Sequence, residues 1–151
     1  MKYVLFLALA ALSQAAEFTT GQAARLVIGQ RTFTAQESRT AQEVLGGVSS
    51  VAYANDTLFV VDANRMGIEP TNHRVLIYRN VSSAFPSPDA EIQPYAGRCP
   101  VCVGKADIVL GQPDFETSEL KPAAQNTLRS PMGVATDGTR LVVADTDHNR
   151  V

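Results

Sequence analysis

The fold is decided by VAYANDTLFVVD, residues 51–62, and by its gapless counterpart VATDGTRLVVAD, residues 134–145. In each stretch a short polar segment, Asn55-Asp56 in the first and Asp137-Gly138 in the second, separates two apolar runs. Asn, Asp and Gly tolerate the positive φ that a tight hairpin turn requires. The sequence therefore predicts the same β-hairpin twice.

A second pair of copies precedes these hairpins. ARLVIGQ, residues 24–30, matches ADIVLGQ, residues 106–112, and Phe33 and Phe115 follow at the same spacing. Self-similarity over a long period is typical of repeat architectures. We therefore treat the chain as two copies of one repeat and expect the two Phe side chains to cover the sheet after each Gly-Gln turn.

Each copy of the repeat predicts short antiparallel strands. The expected strands of the first copy are Val48 to Ala54, Leu58 to Val61, Arg74 to Tyr78 and Ala106 to Leu110. Residues 58–61 and 141–144 are apolar without alternation, which favours strands covered on both faces by stacked sheets. Four antiparallel strands make one propeller blade. The predicted fold class is all-β, a β-propeller of four-stranded antiparallel blades that is incomplete in this chain.

The residues also resemble a known family. Pro131-x-Gly133-Val134-Ala135-x-Asp137-Gly138, then Leu141 to Asp145, then Asn149-Arg150-Val151 is similar to the NHL repeat. In the first copy Asn72-His73-Arg74-Val75 is close to the same pattern, although Val48 and Ser50 stand where the second copy has Pro and Gly. The resemblance covers residues 24–151. It implies a ring-shaped propeller of about six blades, whose loops and central channel form a binding surface.

The N-terminus has the pattern of a signal peptide at residues 1–16. Lys2 precedes an apolar run from Tyr3 to Leu12, and Ser13 and Ala15 place small residues where a signal peptidase cleaves. The run is shorter than the roughly 20 apolar residues of a membrane-spanning helix. We expect an exported chain, periplasmic or extracellular, with no membrane span once mature; an N-terminal core helix is the alternative.

The rest of the chain, residues 17–151, is expected to form a partial NHL-type propeller. Residues 24–30 would be an orphan outer strand that completes another blade, 45–112 a complete blade, and 128–151 the start of a blade left unfinished. Because blades bury their faces on neighbours, such a section depends on further blades.

Cys99 and Cys102 lie in the long connection between the expected third and fourth strands. In an exported protein the pair is a candidate disulfide. A redox-active dithiol would need a helix N-terminus to lower one thiol pKa, and zinc would need two more ligands where the only histidines are His73 and His148. Covalent haem attachment requires His after the second Cys, and residue 103 is Val.

The remaining candidate residues recur between the copies. They are Asp62, Asn72, His73 and Arg74 in the first copy and Asp145, Asn149 and Arg150 in the second. Recurrence favours a structural role, in which the carboxylate accepts hydrogen bonds from turn amides or from the guanidinium. His73 and His148, near-equivalent in the motif, are expected to be structural as well. We therefore predict no catalytic, cofactor-binding or metal-ligating residue.

The composition argues against nucleic-acid binding, because the net charge is -2, the pI is about 5.6 and no basic cluster is present in the sequence. We expect a non-catalytic binding scaffold, without a cofactor, for a protein, peptide or carbohydrate partner. The insertion at Arg65 to Pro70 and the loop with the two cysteines would be its variable elements. The alternative is a lactonase-like hydrolase with a divalent metal in the central channel.

Overall fold

Six strands in two antiparallel sheets make up the computed structural model, which describes residues 18–63, 71–87, 89–91 and 104–151. Sheet one contains β1 Val48–Ala54, β2 Thr57–Asp62, β3 Arg74–Arg79 and β4 Ile108–Leu110; sheet two contains β5 Pro131–Thr136 and β6 Leu141–Asp145. Two single 3-10 turns, Val81–Ala84 and Thr146–His148, follow β3 and β6. The all-β class predicted from the sequence is confirmed. None of the described residues belongs to a helix long and apolar enough to cross a membrane.

Sheet one has the order β1-β2-β3-β4, and each neighbouring pair is antiparallel. The four strands expected for the first copy are therefore present in sequence order. The fourth is shorter than predicted and begins at Ile108. Ala106 donates its amide hydrogen to the carbonyl of Gln42, outside the sheet, at 3.0 Å, so it does not extend the ladder with β3.

The hairpin between β1 and β2 has the predicted tight turn. Ala54 pairs with Thr57, so the loop contains only Asn55 and Asp56. Both loop residues lie in the left-handed region, with φ of 48° and 56°. Two successive positive φ angles give a turn whose twist matches that of the flanking strands, and Asn and Asp tolerate them.

The hairpin between β5 and β6 differs from the one predicted. Thr136 pairs with Leu141, which leaves a four-residue loop, and within it Gly138 alone has a positive φ, of 88°. Asp137 is not left-handed because its side chain shapes the turn: its Oδ1 accepts the amide hydrogens of residues 139 and 140 at 2.9 and 2.7 Å. The prediction of identical turns was wrong for this copy.

Both faces of β2 are covered, as its unbroken apolar run predicts. Val60 lies in a buried cluster with Leu45, Leu76 and Tyr78, while Val61, its neighbour in sequence, packs in a second cluster on the opposite face. The second cluster joins the sheets, because Val61, Ala63 and Val75 of the first copy contact Phe59, Leu128, Val134 and Val143.

Sheet two is covered on one face only among the described residues. Val134 and Val143 point to sheet one, while Val142, on the opposite face of β6, is 50% exposed. The prediction of two-sided cover is therefore confirmed for β2, and for β6 it stays a prediction.

The sheets stack with β1 next to β5. Ser49 Oγ donates to the Pro131 carbonyl at 3.2 Å, and Ser50 Oγ accepts from the Val134 amide at 3.3 Å. Each of the two strands has a register shift at its start, between Val48 and Ser50 and between Pro131 and Gly133. The two copies thus share an irregularity as well as their strands.

The expected orphan strand, residues 24–30, forms no helix and lies against sheet one. Leu26 and Ile28 pack on the cluster that contains Leu45, and Gly29 accepts a hydrogen bond from the Leu45 amide at 3.1 Å. Ile28 occupies a single β-bridge position. The role of this segment in completing another blade stays a prediction.

Candidate functional site

The most polar buried site of the described residues is centred on Asp62, the last residue of β2, whose side chain is fully buried. Its Oδ1 accepts the amide hydrogens of Gly46 and Gly47, both at 2.9 Å. Its Oδ2 accepts from Asn72 Nδ2 at 2.8 Å and from Arg74 Nε at 2.9 Å. Four donors therefore satisfy both carboxylate oxygens.

The Arg74 guanidinium is equally saturated and 0% exposed. Besides Asp62 it donates to the carbonyls of Ala41 and Val44 at 3.0 and 3.1 Å and to that of Phe115 at 2.5 Å. Burying a charge is costly unless it is paired and hydrogen-bonded, and this arrangement meets both conditions. The pair ties the loop before β1 and the loop after β4 to the end of sheet one at which β2 ends and β3 begins.

The second copy builds the same network around Asp145. Its Oδ1 accepts the Arg129 amide hydrogen at 2.7 Å, and its Oδ2 accepts from Arg150 Nε at 2.7 Å. Arg150 Nη2 donates to the carbonyls of Ala124 and Thr127 at 2.7 and 2.6 Å. Ala124 and Thr127 align with Ala41 and Val44 of the first copy in the repeat. The two networks therefore share the Asp-Arg pair, one backbone amide donor and two carbonyl acceptors. They differ in that the Ser130 amide, equivalent to that of Gly47, donates to His73 rather than to Asp145, and that the bond from Arg74 to the Phe115 carbonyl has no counterpart among the described residues.

Asp145 is held in its charged form by these bonds. Burial by itself raises the pKa of Asp145, but the Arg129 amide, the Arg150 guanidinium and His148 together outweigh it, so the pKa lies below its ordinary value. Arg150 is less enclosed than Arg74, since 36% of its side chain is exposed. The second network is the weaker of the two.

His73 and His148 lie at different positions of the repeat. His148 Nδ1 is 2.9 Å from Asp145 Oδ2 and occupies the place that Asn72 has beside Asp62. His73 instead aligns with Asn149, and both have a left-handed φ, of 49° and 53°. His73 Nδ1 accepts the Ser130 amide hydrogen at 3.0 Å, which links sheet one to the second copy. Each histidine is engaged in a contact within the chain.

The two aromatic residues that follow the Gly-Gln turns are both half-buried. Phe115 packs against the cluster of Leu45 and Leu76. Phe33 is partly buried in the loop that precedes β1.

Gln30 and Gln112 each make the same hydrogen bond in their own copy of the repeat, and the recurrence of Gly-Gln is a sequence signal for it. Gln30 Nε2 donates to the Glu37 carbonyl at 2.8 Å, and Gln112 Nε2 donates to the Glu119 carbonyl at 2.9 Å. Each side chain closes the loop that follows its Gly-Gln turn. The equal spacing of Gln and Glu in both copies is the sequence signal for this closure.

The candidate cysteines, Cys99 and Cys102, and the insertion at Arg65 to Pro70 lie outside the described residues, so the disulfide stays a prediction. Within residues 18–63, 71–87, 89–91 and 104–151, no three His, Cys, Asp or Glu side chains are grouped to hold a metal ion.

No family model, curated protein or solved structure matches this chain. What the two networks can do follows from their geometry alone. Asp62 and Arg74 have no exposed surface and no unused hydrogen-bonding atom, so a substrate reaches neither. Their chemistry is that of a structural ion pair rather than of an acid and base.

Proposed function

We propose that this chain is a section of an exported NHL-type β-propeller that serves as a non-catalytic binding scaffold. The observation that carries the proposal is the way the two sheets stack. Sheet one contributes one face of the repeat to the interface between the sheets, and sheet two contributes the opposite face of the same repeat.

The stacking is head to tail. Sheet two turns Val134 and Val143 toward sheet one. Their equivalents in sheet one, Val51 and Val60, lie on the face that points away from sheet two, and Val51 is 58% exposed. In the same way Phe59 faces sheet two, whereas its equivalent Val142 is 50% exposed.

A head-to-tail interface leaves a second copy of each partner face. On sheet two that face exposes Val142, and on sheet one it exposes Val51, although Val60 on the same face is buried in the cluster with Leu45. Further sheets can pack on these exposed parts. Tyr53, 54% exposed beside Val51, belongs to the exposed part of the sheet-one face. Repetition of such an interface produces a closed ring or an open array, and a ring protects all faces. This supports the propeller reading of a repeat that resembles NHL.

The internal networks support a scaffold rather than an enzyme. The side chains of the recurring Asp-Arg pairs make hydrogen bonds that hold loops to the sheets, and the recurring Gln side chains make hydrogen bonds that close loops. Loops on a rigid sheet framework are the usual carriers of recognition. Partner binding is therefore assigned to loops and the partner class to a protein, peptide or carbohydrate.

The export component of the proposal is tested first. The gene expressed with residues 1–16 should give a secreted or periplasmic protein whose N-terminus, determined by mass spectrometry, lies close to residue 17. An uncleaved N-terminus on an intracellular product contradicts export.

The scaffold component is tested on the exported product with glycan and peptide arrays, with and without EDTA, beside a panel of lactone substrates. We expect saturable binding that EDTA leaves unchanged and no hydrolysis above the buffer rate. Lactone hydrolysis that EDTA abolishes and Ca²⁺ restores would establish the metal-dependent hydrolase instead.

A further inference from the structure

We draw no further inference here: the strongest candidate, the exposed part of the apolar face of sheet one at Val51 and Tyr53, carries none because nothing within the part of the chain that the structure describes shows what covers it.

Discussion

Replacing Arg74 by Met should destabilise the protein far more than the same change at Arg150. In the first network the substitution leaves the buried Asp62 carboxylate without its counter-ion and three carbonyl groups without their donor. Both side chains of the pair are 0% exposed, so water does not replace the lost partner. Breaking a buried pair by removing one member costs about 3–5 kcal/mol, and we expect Arg74→Met to lower the free energy of unfolding by that amount.

The same substitution at the equivalent residue, Arg150, is the control for this prediction. Arg150 makes the corresponding bonds to Asp145 and to two carbonyls, but none of the described residues replaces the Phe115 acceptor of Arg74. Its side chain is 36% exposed, so solvent screens the Asp145 charge and reaches the orphaned carbonyl groups. Discounted for that screening, Arg150→Met should cost about 1 kcal/mol. Urea unfolding followed by circular dichroism gives both values. Equal losses at the two sites, or a loss below about 1 kcal/mol for Arg74→Met, would refute the assignment of the first network as the buried clamp of the fold.

Three further predictions concern other parts of the structure. The pKa of Asp145 is depressed in the folded state, so its contribution is present above the unfolded pKa, about 4, and is lost as pH falls through the lower folded pKa. Asp145→Asn should therefore destabilise at pH 7, with a difference from the parent that shrinks below about pH 4 in pH-dependent urea unfolding and not at higher pH. Gly111→Ala should cost about 2–4 kcal/mol in urea unfolding, because φ is +92° and the new Cβ would lie 2.8 Å from the His73 carbonyl oxygen. Gly21→Ala, with φ +79° and open space, should cost no more than about 1 kcal/mol, and similar losses at both glycines would refute the steric argument. Burial raises the pKa of Tyr78, and its hydroxyl has no hydrogen-bond partner among the described residues, so Tyr78→Phe should raise the free energy of unfolding by about 1 kcal/mol; a loss of stability would show that the hydroxyl is satisfied.

The strands of sheet one follow from local sequence because their signals are strong and independent. Asn55-Asp56 tolerates the left-handed turn, and the runs on either side are rich in β-formers. The same reasoning does not predict the turn of the second hairpin. Asp137 has two ways to make a turn, by its own φ or by a side-chain hydrogen bond to following amides, and composition alone does not choose between them.

The sequence predicts the side-chain partners in the two networks but not the backbone partners. The recurrence of Asp62 and Arg74 as Asp145 and Arg150 predicts the ion pair, because both members are side chains. The other acceptors of Arg74, the carbonyls of residues 41, 44 and 115, are backbone groups that every residue possesses. They become identifiable only when the chain has been folded and the carbonyls brought within reach.

The exposure of β6 could not be predicted either. Residues 141–144 are as apolar as residues 58–61, and the pattern records that both faces favour burial. Whether a neighbour covers the second face depends on what packs against Val142. The sequence of a strand shows that a face is apolar and favours burial, but it does not show which other segment packs on that face.

The bond from Arg74 to the Phe115 carbonyl has a consequence for the order in which the chain folds during synthesis. Its two ends are 41 residues apart in sequence, whereas the Asp62, Ala41 and Val44 partners all precede Arg74. A ribosome adds about 5–20 residues per second, so Arg74 is made roughly 2–8 s before its last partner. During that interval the guanidinium nitrogen that donates to the Phe115 carbonyl lacks this acceptor. Translation thus couples the completion of the first clamp to the start of the next repeat.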